Sequence, residues 1–487
     1  MRLQKMIFNI QKILQALNEG QTTTINGALA FERYGGSLNA NVMLFGEDLR
    51  FKRAEDLVQM LQNAYYEDRR LFLQNVAHII DIRSGKGERR AARLIVGFLA
   101  TVEPQWFCKQ IEVIANLSRW DVIFSNVDNF NTEQLQAIKR VVFSTNVSAL
   151  MFKWLPSINT SSQVQRDLAQ KWCRIFGLTK AQYRKWLASG RKKCKLIETA
   201  LAQKQMENVK VEQIPKKALL KYHAALNRKI GDQMIVYYNQ LQAGKIKSDW
   251  RVVNPVDLVL MINRGRVAAD QIDVLWNQLP DWLAQDFNFF PVIDVSASMT
   301  EMGGLPIAVA QSLGIYAAEK NKGPFANKLM LFSNDNKVLV FEPQDRFSQK
   351  LAKVKSFSDI ANTNLAAVWE KFYEMALLVP DNLKQAFIPK AICLISDGQF
   401  DAMVDDANDT TIFRHYQAKF AAANLPWPQI IYWNINGRGR IPFNHNDQKM
   451  VMISGYSPQI LRAFQDCAFD MITLMKQILA RYANTFN

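Results

Sequence analysis

Three residues at the end of one apolar run carry the donor atoms for a hard cation. Asp294, Ser296 and Ser298 follow the strand-like run Phe287-Asn-Phe-Phe-Pro-Val-Ile293 in the pattern Asp-x-Ser-x-Ser. Hydroxyls at i and i+2 of a turning loop can face one ion, while the carboxylate beneath them ligates directly or accepts hydrogen bonds from bound water. Mg2+ suits such a set because it takes oxygen ligands in near-octahedral geometry and keeps several of its waters. The same residues also suit a plain helix cap, so the pattern gains meaning only with partners elsewhere.

Two later stretches supply them. Lys390-Ala-Ile-Cys-Leu-Ile-Ser-Asp397 is a second apolar run closed by an acid, with Gly398 where a tight exit is needed. Ala361-Asn-Thr-Asn364 precedes a helical pattern over residues 365–378, which puts Thr363 in a loop at a helix start. Three loops bearing Asp-x-Ser-x-Ser, Thr and Asp in that order resemble the metal-ion-dependent adhesion site (MIDAS) of von Willebrand factor A domains. The resemblance implies Ser296, Ser298 and Thr363 as direct ligands. It also implies that Asp294 and Asp397 bind through water or complete the negative cradle, with Mg2+ or another divalent cation as cofactor.

The elements around these loops alternate in type. Residues 303–320 have a helical pattern, 327–334 read as strand, 413–423 as helix, and 429–434 and 450–454 as strands. A last amphipathic helix is predicted from residue 458 through 472 and beyond. Alternation of this kind predicts an open, mostly parallel sheet with helices on both faces, which binds ligands at the carboxyl ends of its strands. Residues 285–487 are therefore expected to form an α/β domain of von Willebrand factor A (Rossmann-like) class.

Before it, residues 50–66, 70–82, 89–100, 104–117 and 132–154 repeat apolar positions at helical spacing. Antiparallel helix pairs with short loops are the simplest packing, so residues 1–280 are expected to be an all-α, HEAT-like basic domain, although the letters show no clean repeat. A length of 487 residues fits two or three domains, and 49% hydrophobic content argues against wholesale disorder. No apolar run approaches the eighteen or so residues of a spanning helix, and the first residues lack the apolar core of a signal peptide, so the expectation is a soluble cytoplasmic protein. Five scattered cysteines and four scattered histidines argue against a disulfide framework and a zinc site.

The formal net charge of +16 favours polyanionic partners, nucleic acid first. In Asp81-Ile-Arg-Ser-Gly-Lys-Gly-Glu-Arg-Arg90, Gly85 and Gly87 release the backbone while Arg83, Lys86, Arg89 and Arg90 gather on one short turn, a plausible phosphate clamp. It is not a Walker A loop, since the Gly-x-x-x-x-Gly-Lys-Ser/Thr spacing is missing. The alternative is a solvated turn in which Asp81 and Glu88 pair with the arginines. A second basic stretch places Arg184, Lys185, Arg191, Lys192, Lys193 and Lys195 beside Tyr183 and Trp186, rings that serve either as stacking faces or as helix core.

The segments Arg83–Arg89, Tyr183-Arg-Lys185, Asn254-Pro255, Asp397-Gly-Gln-Phe-Asp401, Tyr432-Trp-Asn434 and Ser454-Gly-Tyr456 together look like the uncharacterised family known as domain of unknown function 2828. That family is related in layout to the TROVE and Ro autoantigen proteins, in which helical repeats precede a von Willebrand factor A domain. The resemblance implies a non-enzymatic ribonucleoprotein component that binds structured RNA or single-stranded ends. The rival is an assembly module of a larger particle, whose metal captures a carboxylate of an acidic protein partner. Hydrolysis ranks last, because the sequence shows neither an ordered Ser-His-Asp grouping nor a second metal site.

Overall fold

The computed structural model describes residues 21–23, 28–31, 34–44, 53–194, 196–203, 205–207, 209–283, 289–332, 336–357, 364–384, 388–398, 412–435, 441–443, 447, 449–464 and 470–486. The chain divides into two compact units, residues 52–239 with 481–487 and residues 1–51 with 240–480. The former is helical and the latter holds a six-stranded mixed sheet flanked by helices. Residues 28–44 and 250–280, expected from the sequence in the helical region, belong to the unit with the sheet.

The first elements among the described residues are the antiparallel strands β1 (Gln21–Thr23) and β2 (Leu29–Phe31) and helix α1 (Leu38–Leu44). The helical unit then runs through α2 (Ala54–Glu67), α3 (Arg69–Ile80), α4 (Arg89–Val102), α5 (Pro104–Leu117), α6 (Trp120–Phe124), α7 (Thr132–Val142) and α8 (Met151–Trp154). It continues with α9 (Gln163–Phe176), α10 (Lys180–Lys193), α11 (Ile197–Gln203) and α12 (Lys216–Gln242). Local chemistry sets several boundaries. Reciprocal capping boxes, Asn131 with Gln134 and Thr179 with Gln182, start α7 and α10. Pro104 opens α5, and Gly177 at φ 72° ends α9.

The helical pattern expected over 132–154 breaks into two helices. Residues 143–150 carry a run of Ser, Thr, Asn and Val, whose short polar and β-branched side chains favour turns, and the Ser148 hydroxyl accepts from the Leu150 amide at 3.3 Å. Helix α12 bends sharply at Ile230, where φ and ψ are −138° and 43°. Lys216 Nζ consequently lies 3.0 Å from the Tyr237 hydroxyl, groups that a straight helix would hold about 30 Å apart.

In the other unit, α13 (Pro255–Asn263) and α14 (Ala269–Trp276) precede the sheet. Its elements are β3 (Phe289–Asp294), α15 (Glu301–Lys320), β4 (Lys328–Phe332), β5 (Lys337–Val340), α16 (Phe347–Ser356), α17 (Leu365–Leu378), β6 (Ala391–Ser396), α18 (Ile412–Ala422), β7 (Gln429–Asn434), β8 (Met450–Ser454) and α19 (Met471–Ala480). The strand order is β5-β4-β3-β6-β7-β8, parallel throughout except for the β4–β5 pair. The central strands β3 and β6 are buried along their whole length, so they read as continuous apolar runs. Edge strand β5 is short and half exposed, and its pattern escapes the sequence reading. The helix expected from residue 458 onward is a 3-10 turn over Pro458–Phe464 followed by α19.

Helices cover both faces. On one, α15 lies so close that a Cβ on Gly314 would sit 2.4 Å from Ile293 Cγ2, which is why glycine stands there. On the other, the Phe372 ring of α17 meets Phe290 edge-on at 5.5 Å. The upstream helices join this core through specific contacts. The Trp276 ring stacks on Phe347 at 3.7 Å, and the Asp273 carboxylate accepts from Ser348 N and Oγ at 2.8 Å each, capping the first turn of α16. No described helix is long and apolar enough to cross a membrane.

Candidate functional site

Parallel pairing of β3 with β6 brings their carboxyl ends side by side, with Ile293 opposite Ile395 and Asp294 next along beside Ser396. The Ser396 hydroxyl donates to Asp294 Oδ2 at 2.6 Å and accepts from the Gly398 amide at 3.0 Å. Asp294 Oδ1 accepts from the Ser296 amide at 2.9 Å, and the Ser296 and Ser298 hydroxyls lie 3.1 Å apart. Asp294 and Asp397 are both buried. Burial first, and the Asp397 carboxylate second, push the Asp294 carboxyl well above the usual carboxylate range, against the downward pull of its serine hydrogen bonds.

Beyond Ser298 the backbone makes an unusual turn. Met302, Gly303 and Gly304 all adopt left-handed conformations, with φ between 54° and 76°. Two of these positions cost nothing because they are glycine, whereas Met302 takes an L-residue into a sparsely populated region. Regular helix starts only after Gly304, which places Pro306 in its first turn, where a missing amide is harmless.

The sequence-predicted metal residues Asp294, Ser296 and Ser298 share one hydrogen-bonded loop, and Asp397 lies close enough to act on Asp294 electrostatically. Thr363 lies outside the described residues. Ser396, which sequence reasoning passed over, is the residue that joins the two strand ends. Its signal was available, as the hydroxyl directly preceding the terminal acid of the second run. Among the described residues no group of three or more His, Cys, Asp or Glu side chains is placed to hold a metal ion. The donors present are therefore two carboxylates with serine hydroxyls, a set that suits a hard cation carrying several waters and does not suit zinc. Two buried carboxylates that raise each other's cost of ionisation are themselves relieved by a cation between them.

The charge divides unevenly between the units. Residues 52–239 with 481–487 contain 32 Lys and Arg against 16 Asp and Glu, a balance of +16, while the rest of the chain contains 28 of each. The whole net charge of the protein resides on the helical unit.

Helix α10 shows how part of it is displayed. Tyr183, Leu187 and Gly190 form its buried face, while Arg184, Lys185, Lys192 and Lys193 are exposed. Arg184 and Lys192 are eight residues apart, about 12 Å along the axis. Lys192 and Lys193 also complement the helix dipole in the last turn. Arg191 is turned inward. Its guanidinium donates to Phe152 O at 3.0 Å, Leu155 O at 2.8 Å and Ser157 Oγ at 2.7 Å, so it serves the carbonyls around the end of α8. The two rings of this stretch are also packed inward. Tyr183 is buried with its hydroxyl on Pro156 O at 2.8 Å, and Trp186 stacks on Phe143 at 5.1 Å and meets Phe152 edge-on at 5.0 Å. Lys195 lies outside the described residues.

The glycine turn after α3 is well ordered by its own contacts. Asp81 is buried and accepts from the Arg83 and Ser84 amides at 2.8 and 3.2 Å and from the Tyr482 hydroxyl at 3.0 Å. A Cβ on Gly85 would fall 2.1 Å from the His78 carbonyl oxygen, and Gly87 has φ 64°. Arg83 Nη1 donates to Asn116 O at 2.6 Å, and Lys86 and Arg90 are half-buried. Arg89 is bound to Asp121 at 2.8 Å, a carboxylate that Arg119 and Arg93 also approach at 2.8 and 3.4 Å. Burial pushes the Asp121 carboxyl up, but Arg119 and Arg89 outweigh it and hold it below the usual range. Three guanidinium groups share one carboxylate, so the cluster keeps an excess of positive charge.

Residues 288–477 match the model of a domain of unknown function, DUF7788. The chain is similar to an uncharacterized protein, L728, of Acanthamoeba polyphaga mimivirus, with 24% identity over 514 residues covering 94% of this chain and 87% of the other. Among solved structures, a crystal structure of the Deinococcus radiodurans RO (RSR) protein aligns over 90% of this chain and 93% of its own, at a TM-score of 0.37 and 13% identity.

Proposed function

We propose that this protein is a non-enzymatic RNA-binding protein whose helical unit grips RNA by its phosphate backbone. The observation that carries the reading is the confinement of the entire +16 charge to that unit. A helical scaffold holds cations at fixed spacing, and backbone phosphates are the polyanion that such an array matches without reading sequence. The inward packing of Tyr183 and Trp186 supports phosphate contact over base stacking at α10. In this reading the helices form a HEAT-like, TROVE-like array, related to the family of domain of unknown function 2828. The sheet unit is of von Willebrand factor A type, and its MIDAS-like loops take Mg2+ through Ser296, Ser298, Thr363 and the two aspartates.

The test is fluorescence anisotropy of labelled single-stranded RNAs of unrelated sequence, titrated with the full chain at several salt concentrations. Saturable binding that is nearly sequence-independent and weakens steeply with salt is the expected result. No saturable complex at low salt would overturn the proposal.

A second reading, capture of a partner carboxylate at the bound Mg2+, is favoured by the close pair of Ser296 and Ser298 hydroxyls. An ion held largely by neutral oxygens keeps Lewis acidity and an exchangeable position. That association would be abolished by chelation, whereas RNA binding would survive it.

A further inference from the structure

The sheet unit contains a cavity of about 450 Å³ that none of the chemistry above uses. Protein interiors are close-packed, with few voids larger than a water molecule, so a space of this size is not a packing fault; it lies within the range of ligand pockets. Its floor is the sheet itself. Phe290 pairs with Ile392, and Val292 with Met330, so Phe290, Met330 and Ile392 point to one face, the face covered by α17. Phe290 and Ile392 stand near the amino ends of β3 and β6, whereas Asp294 stands at the carboxyl end of β3, four residues or about 13 Å beyond Phe290. The cavity and the aspartate site are thus at opposite ends of the same strands.

The roof is α17, where Ala376 faces the space and Met375, 42% exposed, stands at its edge. Of the described residues that line the cavity, Lys328 alone is charged. It is half-buried, and its ammonium gives one of its three donors to Pro324 O at 2.9 Å. An apolar chamber with a single cation at its rim has the polarity of a linear amphiphile with its tail inside and an anionic head at the lysine. A dry apolar cavity is not stabilised by water, which finds no partners there, but it accepts hydrocarbon.

We propose that this cavity binds a straight-chain carboxylate, with the hydrocarbon tail between the sheet and α17 and the carboxylate on Lys328. The inference goes beyond RNA binding and concerns a different unit of the chain. Full-length protein would be titrated with a naturally fluorescent polyene carboxylate, which saturated straight-chain carboxylates of increasing length then displace. Affinity is expected to rise about fourfold per added methylene until the cavity is full, and then to level off. Lys328→Gln, a change at the rim that spares the core, is expected to keep this length dependence but to bind carboxylates no better than the matching alcohols. Ala376→Trp, which puts an indole into the chamber, is expected to abolish displacement, with its circular dichroism spectrum compared to the parent's to verify folding.

Absence of saturable binding by the parent overturns the proposal, as does affinity independent of chain length. So does a folded Ala376→Trp protein that binds like the parent. If no carboxylate binds and the protein instead dimerises through this face, with dimerisation lost on Leu378→Glu, the chamber belongs to a second copy of the chain and the amphiphile is wrong.

Discussion

Replacing Arg184, Lys185, Lys192 and Lys193 together by Gln separates the exposed cations of α10 from the structural one beside them. All four are exposed, Lys185 and Lys192 opposite the buried face of Tyr183, Leu187 and Gly190 and Arg184 and Lys193 on its flanks, and Gln is nearly as good a helix former as Lys or Arg. Surface changes of this kind cost within about 0.5 kcal/mol each, so the fold should persist. The effect on RNA binding follows from counterion release. Each phosphate neutralised on a single strand contributes about −0.7 to the slope of log affinity against log salt, so losing four contacts flattens the slope by about 2.8. Over a fourfold rise in salt the parent should therefore lose about fiftyfold more affinity than the variant. Arg191→Gln gives the contrasting outcome. Its three hydrogen bonds to Phe152, Leu155 and Ser157 are internal, so the slope should hold while stability drops by about 1–3 kcal/mol. Anisotropy titrations at four or more salt concentrations, with urea unfolding alongside, measure both. A folded fourfold variant with the parent's slope would refute the assignment of this face to phosphate contact.

Three further outcomes are expected. Gly190→Ala should destabilise the helical unit by about 1–3 kcal/mol in urea unfolding, since its Cβ would lie 2.1 Å from the Phe152 ring, and it should cost much less in a Phe152→Ala background; equal costs in both would show that the contact is not the cause. His78 is held neutral far below its ordinary pKa by burial first and then by Lys86 and Arg481, so below about pH 6.5 the unfolded chain binds a proton that the folded one refuses. Stability should therefore fall as pH drops through 6.5, by up to about 1.4 kcal/mol per pH unit from this residue, and His78→Leu should remove that share; an unchanged pH profile in the variant would exclude it. Mg2+ should raise the melting temperature of the parent, by about 2.7 kcal/mol of added stability at a hundredfold excess over Kd, and EDTA should reverse the rise; Asp294→Asn responding like the parent would rule out the aspartate site as the binding place.

What the sequence disclosed follows the physics of burial. β7 and β8 could be delimited to the residue because parallel strands covered on both faces are unbroken apolar runs. β5 was invisible because an edge strand of four residues with an exposed lysine carries no such run. At the aspartate loops the spacing Asp294, Ser296, Ser298 was legible, but the hydrogen bond from Ser396 depends on strand register, which only the paired sheet defines. On α10 five cations, Arg184, Lys185, Arg191, Lys192 and Lys193, looked alike in the letters. The inward turn of Arg191 was nonetheless signalled, since it follows Leu187 by four residues and so borders the apolar face. Asp273 could not have been found from local pattern, because the helix it caps begins more than seventy residues later.

Two pairings within the units fix an order of events during synthesis. Strand β2 pairs with β1 at once but gains its second backbone partner only when Ile441 is made, through the reciprocal 2.8 Å hydrogen bonds of Phe31 and Ile441. At about 5–20 residues per second that is a wait of roughly 20 to 80 seconds, during which the nascent β2 has β1 as its strand partner but not Ile441. The helices from α2 to α11 bond and pack largely with sequence neighbours and can settle in that interval. They remain unfinished all the same, because the hydroxyl that closes over Asp81 belongs to Tyr482, 401 residues farther along the chain. Until Tyr482 is made, the helical unit therefore holds its Asp81 carboxylate and His78 ring without the side chain that covers them in the finished fold.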